Sequence, residues 1–165
     1  MKENSLYFAK IRPEAIIPSK KDEDAGYDIY ACVDKDIVIE PHETKLIPTG
    51  IAAAVSEGYY LQVQERGSTG SKGMKYGAGV IDSGYRGEIF IAISNVNDCP
   101  ILISSPENCE KFNHLGQGIG YPKNKAIAQL IVHNVPKMDV EEISYEDLQN
   151  IASTRGTGSL GSSNK

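Results

Sequence analysis

The sequence contains no tryptophan and no continuous apolar run approaching the roughly 20 residues that a membrane-spanning helix requires. Its N-terminus has no basic stretch followed by an apolar core, so it does not resemble a secretory signal. These absences predict a soluble protein. We expect a cytoplasmic location, or the host-cell cytoplasm if the chain is encoded by a virus or phage.

A surplus of basic residues is also absent, because 17 Lys and Arg stand against 22 Asp and Glu, which gives a net charge of -5. Polymeric nucleic acids and anionic membranes need a basic face, so neither is an expected partner. A small anion could still bind locally. The cysteines Cys32, Cys99 and Cys109 form no CxxC pair, which disfavours a disulfide framework and a zinc site.

Helical patterns are scarce, and short segments rich in Ile, Val, Tyr and Thr recur between turn residues, which indicates an all-β domain. Apolar and polar residues alternate over 59–64, as in a strand with one buried face. Residues 88–94 are apolar on both faces and predict a central strand. We expect helix only as a single turn over 71–75 and over 144–151, where Ser144 would be the cap.

Two segments differ in composition from the rest of the chain. Residues 104–124 are polar and contain two prolines and three glycines, which predicts a long loop. The end of the chain is almost entirely Gly, Ser and Thr around Arg155, which predicts a flexible tail. We therefore expect a β domain over residues 1–152, followed by a tail over residues 153–165.

Glycines are concentrated around a segment, residues 65–73, that carries two cations and three hydroxyls. Glycine allows backbone N–H groups to point into a concavity, hydroxyls donate to phosphate oxygens, and an arginine can fork onto two of them. The segment therefore suits an oligophosphate. Its spacing is not that of a P-loop, and a solvated turn remains an alternative.

The segment 79–88 reads as an apolar strand that ends at Asp82, a glycine turn and a second apolar strand, which predicts a hairpin. A carboxylate at the end of a strand beside an apolar wall is a candidate general base. A structural role for Asp82 as the cap of the turn is the alternative. Tyr85 could pack on a sugar or on the protein.

Three further segments stand out. The first is Ala25-Gly26-Tyr27-Asp28, and the second is an apolar strand interrupted by Gln129, which needs a polar partner if it is buried. The third is the tail after Arg155, which repeats the Gly/Ser/Arg pattern about ninety residues after the first occurrence.

In this order the five segments resemble the five motifs of the homotrimeric dUTPases, and together they span most of the chain. The resemblance implies a jelly-roll or distorted β-barrel fold with at most one or two short helices. It also implies hydrolysis of dUTP to dUMP and pyrophosphate, which would limit uracil in DNA and supply dUMP for dTMP synthesis. A homotrimer with shared active sites and a need for Mg2+ follow from the same resemblance.

The resemblance also implies roles for individual residues. Asp28 would hold Mg2+ through water, and Asp82 would orient and deprotonate the water that attacks the α-phosphorus. Tyr85 would stack on the deoxyribose and exclude a 2′-hydroxyl. The hairpin that contains Gly79 and Ile81 would read the uracil edge through its backbone. The resemblance further implies which residues contact the triphosphate or belong to the tail that closes over it: Arg66, Gly67, Ser68, Gln129, Arg155, Leu160, Gly161 and Ser162.

The chain departs from the family pattern in three places. Gly67 and Ser68 are exchanged relative to the usual Arg-Ser-Gly, so the phosphate contact could fall to Ser68, Thr69 or Ser71. Leu160 stands where the family usually has an aromatic residue. The connection before Gln129 is longer than usual, which makes residues 104–121 an apparent insertion.

Two alternatives accompany this interpretation. The insertion could bind a regulatory protein partner through Phe112, Leu115 and Ile119, although apolar residues in a loop more often pack against their own domain. A dCTP deaminase, or a bifunctional deaminase and dUTPase, shares the fold. The motif around Asp82 resembles the hydrolase more closely.

Overall fold

The computed structural model describes residues 2–158, which form eleven strands and three short helices. The strands are β1 (Leu6–Lys10), β2 (Tyr27–Tyr30), β3 (Ile37–Ile39), β4 (Thr44–Val55), β5 (Tyr59–Gln64), β6 (Met74–Gly77), β7 (Val80–Asp82), β8 (Glu88–Asn95), β9 (Ile101–Ser104), β10 (Ile119–Pro122) and β11 (Ala126–Asn134). The helices are α1 (Gly67–Gly70), α2 (Pro106–His114) and α3 (Tyr145–Asn150). None of the helices in this part of the chain has the length and apolar character needed to cross a membrane.

The strands form three sheets with the orders β1-β4-β8-β6, β2-β11-β5-β7 and β10-β9-β3. One hydrophobic core receives side chains from all three, among them Ile47, Leu61 and Ile101. The expected all-β class is confirmed, and β8 lies between two strands as predicted. The described residues form separate sheets rather than one closed barrel, and they contain one short helix more than expected.

The positions of the short helices differ in part from the sequence prediction. The expected turn over 71–75 is wrong: α1 ends at Gly70, and Met74 is already buried in β6 opposite Asn95. The helix expected over 144–151 is confirmed as α3. Ser144 caps it as predicted, because its hydroxyl accepts the backbone N–H of Asp147 at 3.0 Å.

Residues 101–122 form a strand-helix-strand unit, so the long loop predicted over 104–124 is wrong. Strand β10 pairs parallel to β9, and α2 makes the crossover between them. Ser105 caps α2, and its hydroxyl accepts the N–H of Asn108 at 3.2 Å. A side chain on Gly118 or Gly120 would collide with backbone atoms of Pro100 or Cys109. These glycines therefore allow close packing, whereas in the sequence they resembled loop residues.

The cysteines are all free thiols, as expected. Cys32 and Cys109 are buried, and burial raises the pKa of both thiols. A raised pKa keeps a thiol protonated and weakly nucleophilic. The structure therefore gives both residues a packing role.

Asn95 connects two of the sheets at the end of β8. Its side chain is buried, and its amide donates to the carbonyls of Ile39, Glu40 and Cys99 at 3.0, 3.2 and 2.9 Å. Its side-chain oxygen accepts the backbone N–H of Asn97 at 3.0 Å. One side chain thus satisfies backbone groups of β3 and of the turn that leads to β9.

We predict that Asn95→Ala lowers the free energy of unfolding by about 2–4 kcal/mol, because it removes three hydrogen bonds to buried and partly buried carbonyls. Denaturant unfolding at a fixed protein concentration measures the change. Asn150→Ala in the exposed helix α3 is the matched control and should stay within about 0.5 kcal/mol of the parent. Equal stability of the two variants would contradict the assigned role of Asn95.

Candidate active site

A polar cavity of about 400 Å³ brings together residues from three of the five sequence motifs. We call it the Asp28 pocket. Its lining is Asp24, Ala25, Gly26, Asp28, Arg66, Gly67, Ser68 and Gln129. The pocket therefore contains the expected metal carboxylate and most of the expected phosphate contacts within one chain.

Strand register explains how these residues meet. Gln129 of β11 lies opposite Asp28 of β2 on one side and opposite Gln64 of β5 on the other. Residues directly opposite each other in a sheet project from the same face. Arg66 follows two residues after Gln64, where the chain leaves β5 and turns into α1.

The charged groups of the pocket form an ion pair. The Nε of Arg66 lies 2.8 Å from Oδ1 of Asp28, and its Nη2 donates to Oδ2 at 3.1 Å. Both side chains are about one-third exposed, at 33% and 32%. The fork matches the geometry with which arginine binds carboxylates and phosphates, so a phosphate at this position would meet a preoriented guanidinium.

Gln129 has the polar partner that its position requires. Its Nε2 donates to the backbone carbonyl of Glu65 at 2.8 Å. Gly26 packs directly against the same side chain, because a Cβ at position 26 would lie 2.7 Å from Oε1 of Gln129. The segment of Gly26 and the strand of Gln129 are therefore in direct contact, and the glycine-rich segment is attached to them through Glu65.

The three hydroxyls of the glycine-rich segment occupy different environments. Ser68 is exposed, lines the pocket, and accepts a long hydrogen bond of 3.4 Å from Nη1 of Arg66. Thr69 is fully buried beneath the turn. Ser71 is exposed but does not line the pocket. Only Ser68 combines exposure with proximity to Arg66.

The segment around Asp82 is not the predicted hairpin. Strand β7 pairs with β5, whereas β8 pairs with β4 and β6 in another sheet. The sequence pattern shows two strands and a turn but does not show which partners the strands choose. As the last strand of its sheet, β7 carries Ile81 and presents a backbone edge, and Gly79 at its start accepts the N–H of Val63 at 2.8 Å.

Asp82 ends β7 and is exposed. Within residues 2–158 its carboxylate makes no hydrogen bond or ion pair, which argues against the alternative that its side chain caps the turn. Its backbone carbonyl accepts the N–H of Tyr85 at 3.0 Å. The Tyr85 hydroxyl donates to the carbonyl of Glu88 at 2.9 Å, and its ring lies against Gly87 with 44% of the residue exposed.

Asp28 and Asp82 project from the same face of one sheet but lie far apart. Asp82 lies opposite Tyr60 of β5. Asp28 lies opposite Gln129, which in turn lies opposite Gln64 of β5. The two carboxylates are therefore separated by four residues along β5 and by three strand spacings across the sheet. Strand geometry makes this roughly 20 Å. Asp82 instead borders a second cavity of about 630 Å³ beside Tyr60 and Lys137.

The tail motif is described only as far as residue 158. Arg155 is exposed, and its Nε donates to the carbonyl of Gly158 at 3.0 Å within a local turn. The other expected tail contacts, Leu160, Gly161 and Ser162, lie outside the described residues.

The sequence interpretation assigned no role to Glu65 or Tyr76, although both support the pocket. Glu65 accepts the amide of Gln129 on its carbonyl, and its carboxylate accepts the N–H of Tyr76 at 3.3 Å. A charged residue directly at the end of an alternating strand was the available signal for Glu65. Nothing local in the sequence indicated Tyr76.

Comparison with known proteins decides the family. The dUTPase family model matches residues 12–108, more than half of the chain. The deoxyuridine 5'-triphosphate nucleotidohydrolase of Mycobacterium marinum is 32% identical over 166 residues, covering 97% of this chain and 95% of its own length. This chain belongs to the dUTPase family. It is accordingly a dUTP diphosphatase, a hydrolase of nucleotide metabolism.

Solved structures agree with this fold. A dUTPase of Staphylococcus bacteriophage 80alpha, determined with dUpNHpp, is 25% identical with a TM-score of 0.74, and the match covers 97% of this dUTPase and 98% of that chain. A dUTPase of phage phi11 of S. aureus, determined to describe the coordination of a structural Mg(II) ion, is 23% identical with a TM-score of 0.65. That match covers 85% of this chain and 97% of the phage protein. The match to the phage phi11 protein supports only the fold.

We predict that Gly26→Ala lowers kcat/KM for dUTP by about tenfold, because the new methyl group displaces Gln129 and, with it, the Glu65 carbonyl. Steady-state kinetics measures the effect. Gly77→Ala is the matched control, since a Cβ at that exposed position meets nothing within 4 Å. Unchanged kinetics in Gly26→Ala would show that the contact with Gln129 does not position the pocket.

Proposed function

We propose that this dUTPase hydrolyses dUTP at active sites shared between copies of the chain in a homotrimer. The Asp28 pocket of one copy would hold the triphosphate, and the Asp82 segment of a second copy would hold the nucleoside. The separation of roughly 20 Å between the two carboxylates on one sheet face is the observation that carries the proposal. Opposed faces of two copies could unite what one copy keeps apart.

Arg66, Gly67, Ser68 and Gln129 are the proposed contacts to the phosphates. Ser68 is favoured over Thr69 and Ser71 because it is exposed beside the guanidinium of Arg66. Gln129 would keep its bond to Glu65 and offer its remaining amide hydrogen to the substrate. The phage 80alpha dUTPase that resembles this chain binds a dUTP analogue, which supports a triphosphate ligand.

Asp28 is the proposed site of Mg2+, bound through water. Mg2+ binds proteins through one or two carboxylates and substrate phosphates while it retains several waters, so one partly exposed carboxylate in a polar pocket fits it. Among residues 2–158 no cluster of three or more metal-ligating side chains exists, which also fits an ion completed by water and phosphate. Such an ion supplies positive charge against the triphosphate.

Asp82 is the proposed general base. Its carboxylate would accept a proton from a water whose oxygen attacks the α-phosphorus, while the bond to the bridging oxygen breaks and pyrophosphate leaves with that electron pair. The supporting observation is that the carboxylate is exposed and free of partners within the described chain. Arg66 and Arg155 would oppose the negative charge of the phosphates, Arg155 at the γ-phosphate.

The nucleoside would bind at β7 and the turn that follows it. The free edge of β7 offers backbone donors and acceptors near Gly79 and Ile81, which suits recognition of the uracil edge. Tyr85 is held by its bond to Glu88 and exposes a face on which a deoxyribose could stack. The tail residues Leu160, Gly161 and Ser162 are proposed to close over the site of a third copy. The dUMP formed would serve dTMP synthesis and limit uracil in DNA.

The apparent insertion over 104–121, which lies within the strand-helix-strand unit, offers little support for a regulatory partner. Two of its three contact candidates are half-buried: Phe112 packs against Gly118, and Ile119 packs against the core. Leu115 alone among them is largely exposed, at 57%. The packing therefore favours a structural role for the unit.

We predict that Asp82→Asn abolishes pyrophosphate release from dUTP but retains binding of a non-hydrolysable dUTP analogue, because the amide keeps the shape and cannot accept the proton. Separate pyrophosphate and ammonia readouts with dUTP, dCTP, dTTP and UTP test both the base and the substrate. The parent enzyme should release pyrophosphate from dUTP alone. Ammonia from dCTP would instead support a deaminase, and full activity of Asp82→Asn would exclude it as the base.

A mixing experiment tests the shared site. Asp82→Asn and Arg66→Ala chains, each inactive as a homotrimer, should regain about one quarter of parental activity when refolded together in equal amounts. One quarter is the chance that a site takes its Asp28 pocket from an Asp82→Asn chain and its Asp82 segment from an Arg66→Ala chain. A site contained within one chain predicts no recovery, since every chain carries one lesion. Refolding each variant alone is the control for recovery caused by the procedure.

A further inference from the structure

Thr69 was a candidate phosphate contact, and its surroundings indicate a different task. Its side chain is completely buried. Its Oγ1 accepts the backbone N–H of Arg66 at 3.0 Å and donates to the backbone carbonyl of Arg66 at 3.1 Å. The hydroxyl therefore contacts both backbone groups of the residue whose guanidinium reaches into the Asp28 pocket. It is the acceptor for the Arg66 N–H, whereas the carbonyl also accepts the backbone N–H groups of Thr69 and Gly70.

Tyr76 lies near Thr69, and burial raises the pKa of its hydroxyl. The Tyr76 hydroxyl donates to the carbonyl of Ile127 in β11. The pairing of β11 with β2 shifts register at this point, and such an irregularity leaves backbone groups without strand partners. Tyr76 thus connects the side chain of Glu65, directly before Arg66, with β11 two residues before Gln129.

We propose that Thr69 is a positioning residue that fixes the backbone of Arg66, so that the guanidinium points at Asp28 and at the substrate phosphates. The inference rests on the proposed role of Arg66 as a phosphate ligand. Arg66 is extended, with φ -89° and ψ 155°, directly before a helix of only four residues. So short a helix has little stability of its own. The hydroxyl of Thr69 is the side-chain contact that holds this backbone conformation.

The matched pair Thr69→Val and Thr69→Ser tests the hydroxyl separately from the shape. Thr69→Val keeps the volume and loses both bonds, and kcat/KM for dUTP should fall by about tenfold or more because the guanidinium is misplaced. Thr69→Ser keeps the bonds and should stay within about twofold of the parent. Ser71→Ala, which removes an exposed hydroxyl from the same turn, should behave as the parent.

A double-mutant cycle distinguishes positioning from a general structural effect. If Thr69 acts through the Arg66 side chain, Thr69→Val should have no further effect on analogue binding or on kcat/KM once Arg66→Ala is present. If Thr69 acts only on folding, the fold losses in kcat/KM of the two single variants should multiply in the double variant. Binding of dUpNHpp, measured by calorimetry alongside the thermal midpoint, supplies the readout when turnover is too slow to measure.

The outcomes separate this inference from the proposed function. A normal Arg66→Ala variant would overturn the role of Arg66 itself. A defective Arg66→Ala with a normal Thr69→Val would overturn only the role of Thr69, as would an equally large loss in Thr69→Ser. If Thr69→Val does not fold, Thr69→Ala is compared with Thr69→Ser in the same cycle, and additive losses would contradict the proposal.

Discussion

The attachment of the glycine-rich turn to β11 is the constraint on which the Asp28 pocket depends. Gln129 holds the carbonyl of Glu65 on one side of Arg66, and Thr69 holds the backbone of Arg66 on the other. A four-residue helix rich in glycine would otherwise be conformationally free. Because β11 also pairs with β2, the same strand fixes Asp28 opposite Gln129. Strand β11 thereby sets the distance between the guanidinium of Arg66 and the carboxylate of Asp28.

In the proposed mechanism, the ion pair of Arg66 and Asp28 lets an acidic protein bind a highly charged anion. The net charge of -5 opposes long-range attraction, so binding must depend on a few cations held close to the ligand. A paired guanidinium is already oriented, and less side-chain entropy is lost when it binds phosphate. The proposed Mg2+ at Asp28 would add positive charge beside the guanidinium and offset the repulsion between the Asp28 carboxylate and the phosphates.

The sequence predicted the family and its activity more successfully than the strand pairing. Residue types and order identified the family, and the alternation in 59–64 correctly indicated β5 with one buried face. The hairpin at 79–88 was wrong because β7 and β8 choose partners far away in the chain. Gly118 and Gly120 indicated a loop because their close packing against Pro100 and α2 leaves no local signal. The proposed role of Thr69 likewise depends on its complete burial beneath the turn, which no local pattern indicates.

The sheet that carries both carboxylates also connects activity with assembly. Strand spacing fixes the distance of roughly 20 Å between Asp28 and Asp82, and no rotation of either side chain closes it. A single copy could approach a shorter distance only by breaking the β5 pairing that buries Leu61 and Val63. Association of two copies requires no such loss of strand pairing. The rigid core that keeps the two halves apart in one copy is therefore what makes a second copy necessary in the proposed mechanism.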